Sequence, residues 1–538
     1  MMIQTKKGAI ICALLAFILM GCGGAPLIST PTENIDTSPL KVSELTKEEK
    51  ENWGHLDLEK DTIPGMGVDR AYSEIIKGKK GKKVIVAVID SGIDIDHEDL
   101  DGVIWTNKKE TPNNGKDDDD NGYVDDIHGW NFLGDSYDEQ LEYTRLVKSG
   151  NTSDPRFQEA NDLLEKEKQQ ALTTKNRYEQ ILQQLKAADA AFAAHFGTKD
   201  YTMKQVLELD TQDQQLNQYK GMAQQMQGFG LESVQEAIEE INGGVEYFSE
   251  RLNYHFNVDF DGRKTGDNPD VFDDKPGYGN GNVKPVKKSE SHGTHVAGII
   301  AAERNNGKGA NGVANNVEIM SIRAVPNGDE YDKDVAKAIR YAVDNGASII
   351  NGSFGKSFSP HSEWVRDAIK YAAQNDVLIV HAAGNDSKDI DVEPNFPADN
   401  INGKEVADNY ISVGALAPKY GSGMVAGFSN YGDQNVDVFA PGAQVYSTTP
   451  ENEYDTKGGT SMAAPAVAGL AALIRSYYPK LSATQVKEVI LNSGLQLTTK
   501  VVVGGDAEDV QPFSNLSKSG RIANAYNALI MASKMQSL

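Results

Sequence analysis

The sequence predicts an α/β fold: a central parallel sheet flanked by helices and interrupted by an inserted helical hairpin or small bundle. Three observations predict it. Val84 to Ile89 is a continuous apolar, β-branched run, and similar short runs recur at 317–323, 348–351, 377–382 and 411–415. Such runs mark strands covered on both faces, as in a parallel sheet. Helical patterns at 334–345 and 362–375 lie between the runs, and strands alternating with helices imply crossovers that cover both faces. The stretch 136–256 breaks the alternation, being rich in Gln, Glu, Lys, Ala and Leu without a clear strand.

Within that stretch Leu164, Ala171, Tyr178, Leu185 and Phe192 recur every seven residues, which places one stripe along a single long helix. Further helical segments are expected near 201–227 and 232–254, with Gly228, Gly230, Gly243 and Gly244 as breaks. The stripe fits packing on the main body and a partner-binding coiled coil equally well.

The chain has 538 residues, 39% hydrophobic and 24% charged, enough for one large domain or two smaller ones with a sizeable core. A formal net charge of −25 argues against a nucleic-acid partner, because phosphate binding needs basic clusters. Lys6 and Lys7 precede an apolar run from Ala9 to Met20, an export-signal pattern too short for a membrane span. The run ends Leu19-Met20-Gly21-Cys22, which resembles a bacterial lipobox and implies lipidation at Cys22. The two cysteines are Cys12 and Cys22, so removal of a signal at 1–21 leaves one and no intrachain disulfide can form. Residues 22–70 are expected to form a tether and N-terminal extension, the part from Ala25 to Glu51 being rich in Thr, Pro, Ser and charge. The expected location is the bacterial cell envelope, as a membrane-anchored lipoprotein.

In open parallel sheets ligands bind beyond the carboxyl ends of the strands, and the polar motifs fall there. Asp90 ends the first apolar run and is followed by Ser91-Gly92. His292 stands in Ser291-His292-Gly293-Thr294-His295, where an apolar helix starts. Ser461 stands in Gly459-Thr460-Ser461-Met462-Ala463-Ala464-Pro465, at the start of an Ala-rich helix. A serine hydroxyl is a weak nucleophile until a base takes its proton; imidazole can, and a carboxylate on its other nitrogen fixes the tautomer. Singly these residues read as a turn former, a helix-start residue and an N-cap. Jointly they read as a catalytic triad.

These blocks resemble those of the subtilase family of serine proteases, in the order Asp, His, Ser. The resemblance covers 71–135 and 257–538, so the domain reading is two catalytic parts around a helical insertion at 136–256. It implies a subtilisin-like sheet, endopeptidase activity on proteins or peptides, and His292 rather than His295 as the catalytic imidazole. Asn385 in Ala383-Gly384-Asn385 resembles the family's oxyanion donor. Ser353, Phe354 and Gly355 resemble the segment that pairs with substrate, with Asp386 and Asn395-Phe396-Pro397 around the S1 pocket. An acidic Asp386 implies a weak preference for a basic P1 residue.

Asp99 and Asn306 match positions that supply calcium ligands in many subtilases. Separately, Asp117, Asp119, Asn121 and Asp125 alternate around Gly122 like the opening of an EF-hand calcium loop, although His128 stands at its twelfth position. Structural Ca²⁺ is therefore expected, and no organic cofactor. Zinc is not expected, since HExxH is absent and no cysteine is available. The insertion suits a lid, a restriction on access, or a partner site. The competing function is a catalytically silent surface lipoprotein that binds peptides or partners; it would ordinarily lack a triad or oxyanion residue, and all four are present.

Overall fold

The computed structural model describes residues 39–536; the expected signal at 1–21 and Cys22 lie outside them. Among the described residues no helix is long and apolar enough to cross a membrane.

Nine strands form the main sheet: β1 (Val84–Asp90), β2 (Gly129–Asn131), β3 (Val317–Arg323), β4 (Ile349–Gly352), β5 (Leu378–Ala382), β6 (Tyr410–Leu416), β7 (Val438–Pro441), β10 (Leu495–Gln496) and β11 (Arg521–Ile522). A separate hairpin is made of β8 (Val445–Thr449) and β9 (Glu453–Lys457). The sheet order is β10-β11-β7-β6-β5-β4-β1-β3-β2, parallel throughout except for β10 against β11. The chain order reverses about β1, which pairs with β3 on one side and β4 on the other. A crevice opens beyond the carboxyl ends at such a switch point.

Helices α5 (His292–Ala301) and α8 (Thr460–Tyr477) pack on one face of the sheet, and α6 (Asp332–Asp344) and α7 (Ser362–Gln374) on the other. Buried alanines along α8 (463, 464, 466, 468, 471 and 472) let its backbone lie close to β4–β7. The short strands β2, β7, β10 and β11 were not legible as apolar runs, because each is only two to four residues long.

The N-terminal extension is folded from Thr46 onward. Thr46 and Glu49 make a capping box for the helix Lys47–Asn52, and Trp53, Leu58, Ile63 and Met66 are buried against the body. Where composition suggested a tether up to Glu51, the helix therefore begins at Lys47.

The insertion holds α1 (Glu142–Ser149), α2 (Phe157–Phe196), α3 (Gln214–Gly228) and α4 (Val234–Glu250), with a five-residue helix at Met203–Leu207. At 40 residues α2 is about 60 Å long. α4 runs antiparallel along it, with Tyr178 against Phe248 and Gln235 bonded to Asp189. The outer end has its own core around Leu185, Phe192, Val206, Met226 and Val234; the inner end packs Tyr143, Leu164, Phe256 and Phe358. The seven-residue stripe is thus largely used within the insertion. Gly243 and Gly244 do not break a helix as expected but sit inside α4. A Cβ on Gly244 would collide with the Tyr178 ring, so glycine there permits the close approach of α2 and α4.

Candidate active site

Asp90 is the last residue of β1, buried at 1% exposure between β3 and β4. Its Oδ1 accepts the Ser91 N–H at 2.8 Å and lies 2.7 Å from His292 Nδ1. Against a carboxylate acceptor, Nδ1 carries the hydrogen and Nε2 is left as a base. A Cβ at residue 293 would collide with the Gly92 carbonyl, so Gly293 is what lets the start of α5 reach the end of β1. Burial lowers the affinity of His292 for a proton, but the Asp90 carboxylate more than offsets this, and its pKa lies above the ordinary imidazole value. The ring remains 38% exposed, able to meet a substrate. His295, three residues on, is fully buried; burial pushes its pKa down to about 3 and its Nε2 faces the Asp455 carbonyl at 3.1 Å.

Ser461 lies in the first turn of α8. Pro465, four residues on, has no N–H, so the Ser461 carbonyl is released from the helical ladder. Ser353 Oγ donates to that carbonyl at 2.9 Å, and Ser461 Oγ donates to the Ser353 carbonyl at 3.3 Å. This reciprocal pair ties the end of β4 to the start of α8.

Asn385 follows β5. Its Oδ1 accepts from Thr460 N–H at 2.8 Å and Thr460 Oγ1 at 3.0 Å, which turns Nδ2 the other way. A Cβ built on Gly459 would lie 3.6 Å from both Asn385 Nδ2 and the Ser461 backbone N, so the two donors border one small volume beside the serine. Such a pair can receive a developing oxyanion. Gly384, at φ 103°, turns the chain between strand and asparagine, where a side chain would clash with Asn430 Nδ2.

Ser353 is buried, whereas Gly355 is exposed and faces the Phe396 carbonyl and the Asn395 side chain. Phe354 packs edge-on to His381 with ring centroids 5.6 Å apart. Asp386 is exposed; its N–H is held by Asn430 Oδ1 at 3.0 Å.

Of the residues read as calcium ligands, Asp99 and Asn306 meet as a hydrogen-bonded pair, with Asn306 Nδ2 donating at 2.6 Å and Ala310 N–H occupying the other oxygen at 3.1 Å. Asp125 is spent on the backbone N–H groups of Asn114 and Gly115, and Asn121 on Tyr123 N–H and Asp126. Asp117 and Asp119 also accept hydrogen bonds, from the Asn121 and Gly122 N–H groups and from Asn107, but they converge, and with them comes Glu110: one oxygen from each lies within 4.8 Å of the others. Glu110 Oε1 accepts Asp118 and Asp119 N–H, while the buried Oε2 has no partner. An orphaned carboxylate oxygen beside two more carboxylates fits a hard cation such as Ca²⁺ and not Zn²⁺. Glu110 precedes the aspartate run and falls outside the EF-hand spacing, so no sequence rule pointed to it.

Sequence reasoning also missed Arg323 and Glu290. Fully buried behind Asp90, Arg323 donates to the Ser91 carbonyl at 2.7 Å and to Glu290 at 2.7 Å. It braces the turn that carries the carboxylate. The only signal was a lone arginine at the end of an apolar run.

The fold and this arrangement resemble those of serine-type peptidases. The subtilase family model matches residues 81–509, and the chain belongs to the subtilase family. It is 44% identical over 187 residues to a thermophilic serine proteinase of Bacillus sp. (strain AK1), covering 35% of this chain and 43% of that one. It is 38% identical over 207 residues to subtilisin DY of Bacillus licheniformis, covering 38% and 71%. Against thermitase of Thermoactinomyces vulgaris it is 36% identical over 213 residues, covering 39% and 70%. Among solved structures, a protease of Pseudoalteromonas arctica PAMC 21717 aligns with 94% of this chain and 100% of that one, at a TM-score of 0.45 and 20% identity.

Proposed function

We propose that the protein is an exported, lipid-anchored serine endopeptidase acting through Asp90, His292 and Ser461. The observation that carries this reading is the 2.7 Å contact of Asp90 with His292 at the mouth of the sheet, in a chain whose Asn385 Nδ2 and Ser461 backbone N border one small volume. In this reading the Ser461 hydroxyl, which rests on the Ser353 carbonyl, turns to the imidazole when substrate binds. Catalytic hydrogen bonds are often loose until substrate binds. Ser461 Oγ then attacks the scissile carbonyl carbon as His292 Nε2 takes its proton. Asn385 Nδ2 and the Ser461 N–H receive the oxyanion, and His292 returns the proton to the leaving amine as the C–N bond breaks. Water, deprotonated by the same imidazole, cleaves the acyl ester. Asp90 stays ionised and stabilises the imidazolium.

Protein or peptide substrates, and an anchor through Cys22, complete the proposal. Glu110, Asp117 and Asp119 would hold a structural Ca²⁺ that neutralises the acidic loop; none of the chemical steps uses it. The test is active-site labelling with a fluorophosphonate. Wild-type protein is expected to label and Ser461→Ala is not; equal labelling, or none with calcium present, removes the proposal. For the anchor, radiolabelled palmitate is expected in the wild type and absent from Cys22→Ala.

A further inference from the structure

The segment that leads into β1 reads Lys77-Gly78-Lys79-Lys80-Gly81-Lys82-Lys83, five lysines in a chain whose net charge is −25. All five are exposed. Lys83 pairs with Glu318 at 3.0 Å, whereas the ammonium groups of Lys77, Lys79, Lys80 and Lys82 meet no carboxylate among the described residues. Glu74, just before the loop, is already paired with Lys60 and Arg70. The loop is held through its backbone: Lys79 N–H donates to the Ile76 carbonyl at 2.9 Å, and Lys82 N–H to the Ser476 carbonyl at 2.8 Å.

These contacts fix where the lysines stand. The loop ends where β1 begins, and Asp90 closes β1 about 20 Å further along the strand. Ser476 lies near the end of α8, about 22 Å along the helix from Ser461. Strand and helix agree: the lysines occupy the pole of the sheet opposite the cleft.

Free ammonium groups spread along an exposed loop suit a surface of many anionic headgroups better than a single anion. An acyl chain at Cys22 would bring the body to a bilayer without orienting it. At about 0.1 M salt charges act over about 10 Å, so the lysines at this pole, and not the acidic excess carried elsewhere, decide how the body meets an anionic surface. Each lysine near such a surface raises partitioning about fivefold. We propose that the loop Lys77–Lys83 docks on anionic phospholipid headgroups and holds the cleft facing away from the membrane. The orientation, though not the affinity for headgroups, rests on the lipid-anchored reading.

The test is cosedimentation of the full-length chain carrying Cys22→Ala, so that no acyl chain contributes. The vesicles are phosphatidylcholine alone or an equal mixture with phosphatidylglycerol. Binding is expected on the mixed vesicles at about 0.1 M salt and is expected to be lost at about 1 M, where the screening length is about 3 Å. Lys77→Gln, Lys79→Gln, Lys80→Gln and Lys82→Gln combined are expected to weaken it at least about a hundredfold and to leave hydrolysis of a soluble peptide within about twofold. Lys83 is kept because it pairs with Glu318. Absence of binding, equal binding to neutral vesicles, or binding that survives the higher salt overturns the proposal without recourse to the lysine variant. Undiminished binding by the folded variant overturns it too. So does retention on polyglutamate with none on the mixed vesicles, which would assign the loop to an acidic protein. Palmitate on the wild-type Cys22 without vesicle binding by the loop overturns the docking and leaves the anchor; vesicle binding without palmitate does the reverse.

Discussion

The mouth of the sheet and the joint beneath the helical insertion are built from opposite materials. At the mouth the reacting groups are few: Asp90, His292 and two neutral donors stand on an apolar core of β-branched strands and an alanine-rich helix, with one buried ion pair, Arg323–Glu290, behind them. At the joint, charge is abundant and buried. Arg263 bridges Asp267 and Asp334, Lys333 bridges Asp267 and Asp274, and Lys356 joins Glu142 to Asp332. Burial would raise the Glu142 pKa, but Arg145 and Lys356 bring it down to about 2. Glu330, with less compensation, is pushed by burial up to about 8. The difference teaches what each region needs. A reacting group must reach substrate and cycle its proton, whereas a long helical arm must dock in one register. An unpaired buried charge costs several kcal/mol, so any other docking of the arm is penalised.

The sharpest test separates chemistry from stability. Ser461→Ala is expected to reduce peptide hydrolysis by about 10⁴-fold or more while leaving the unfolding midpoint near wild type. A loss of less than about tenfold would detach Ser461 from the reaction. The joint should behave in reverse. The Lys333 side chain is fully buried between Asp267 and Asp274, so Lys333→Met leaves Asp267 to Arg263 alone, takes the cation from Asp274, and is expected to cost about 3–5 kcal/mol in chemical denaturation. The kcat of its folded fraction should be close to wild type. A loss under about 1 kcal/mol would show that the joint is loosely solvated.

The same contrast explains what could be read beforehand. The body was legible because continuous apolar runs and short motifs are local: Asp90, His292 and Ser461 each sit at the end of a strand or the start of a helix that its neighbours predict. The insertion was legible as helix for the same reason. Its joint was not, since Glu142 meets Lys356 across 214 positions and Arg263 meets Asp334 across 71, and a charged residue gives no periodic signal of its eventual partner. Glu110 was missed likewise, a carboxylate folded back onto an aspartate loop it precedes.

Within the mouth the donors rank below the nucleophile. Asn385→Ala is expected to lower kcat by about 10²–10³ with little change in KM, because in the proposed mechanism its amide meets the oxyanion and not the ground state. A KM effect alone would make Asn385 a substrate-positioning residue. The acidic loop should affect stability only. Chelation is expected to lower the melting temperature by the ligand-linked term, about 2.7 kcal/mol when calcium was at a hundred times its Kd. Glu110→Gln should abolish that sensitivity, and a chelator-insensitive wild type would remove the ion.

The last test is on pH and concerns His292, whose ring the mouth leaves 38% exposed. In the folded protein His292 holds its proton more tightly than a free imidazole, since the Asp90 carboxylate outweighs burial. The base must be neutral to accept the serine proton, so activity is absent at low pH and rises through a midpoint above about 6.5. For stability the sign is opposite. Because the folded pKa is the higher one, the Asp90–His292 attraction stabilises fully below the unfolded value and is lost as pH rises through the folded value. The enzyme is therefore expected to gain activity over the interval in which this pair gives up its stabilisation. Asp90→Asn should move the acid limb of kcat/KM to lower pH, and it should also cut the rate by about 10⁴-fold through the wrong tautomer. An acid limb that stays in place in the variant would mean that the titrating group is not held by Asp90, and the contact at the end of β1 would then be structural.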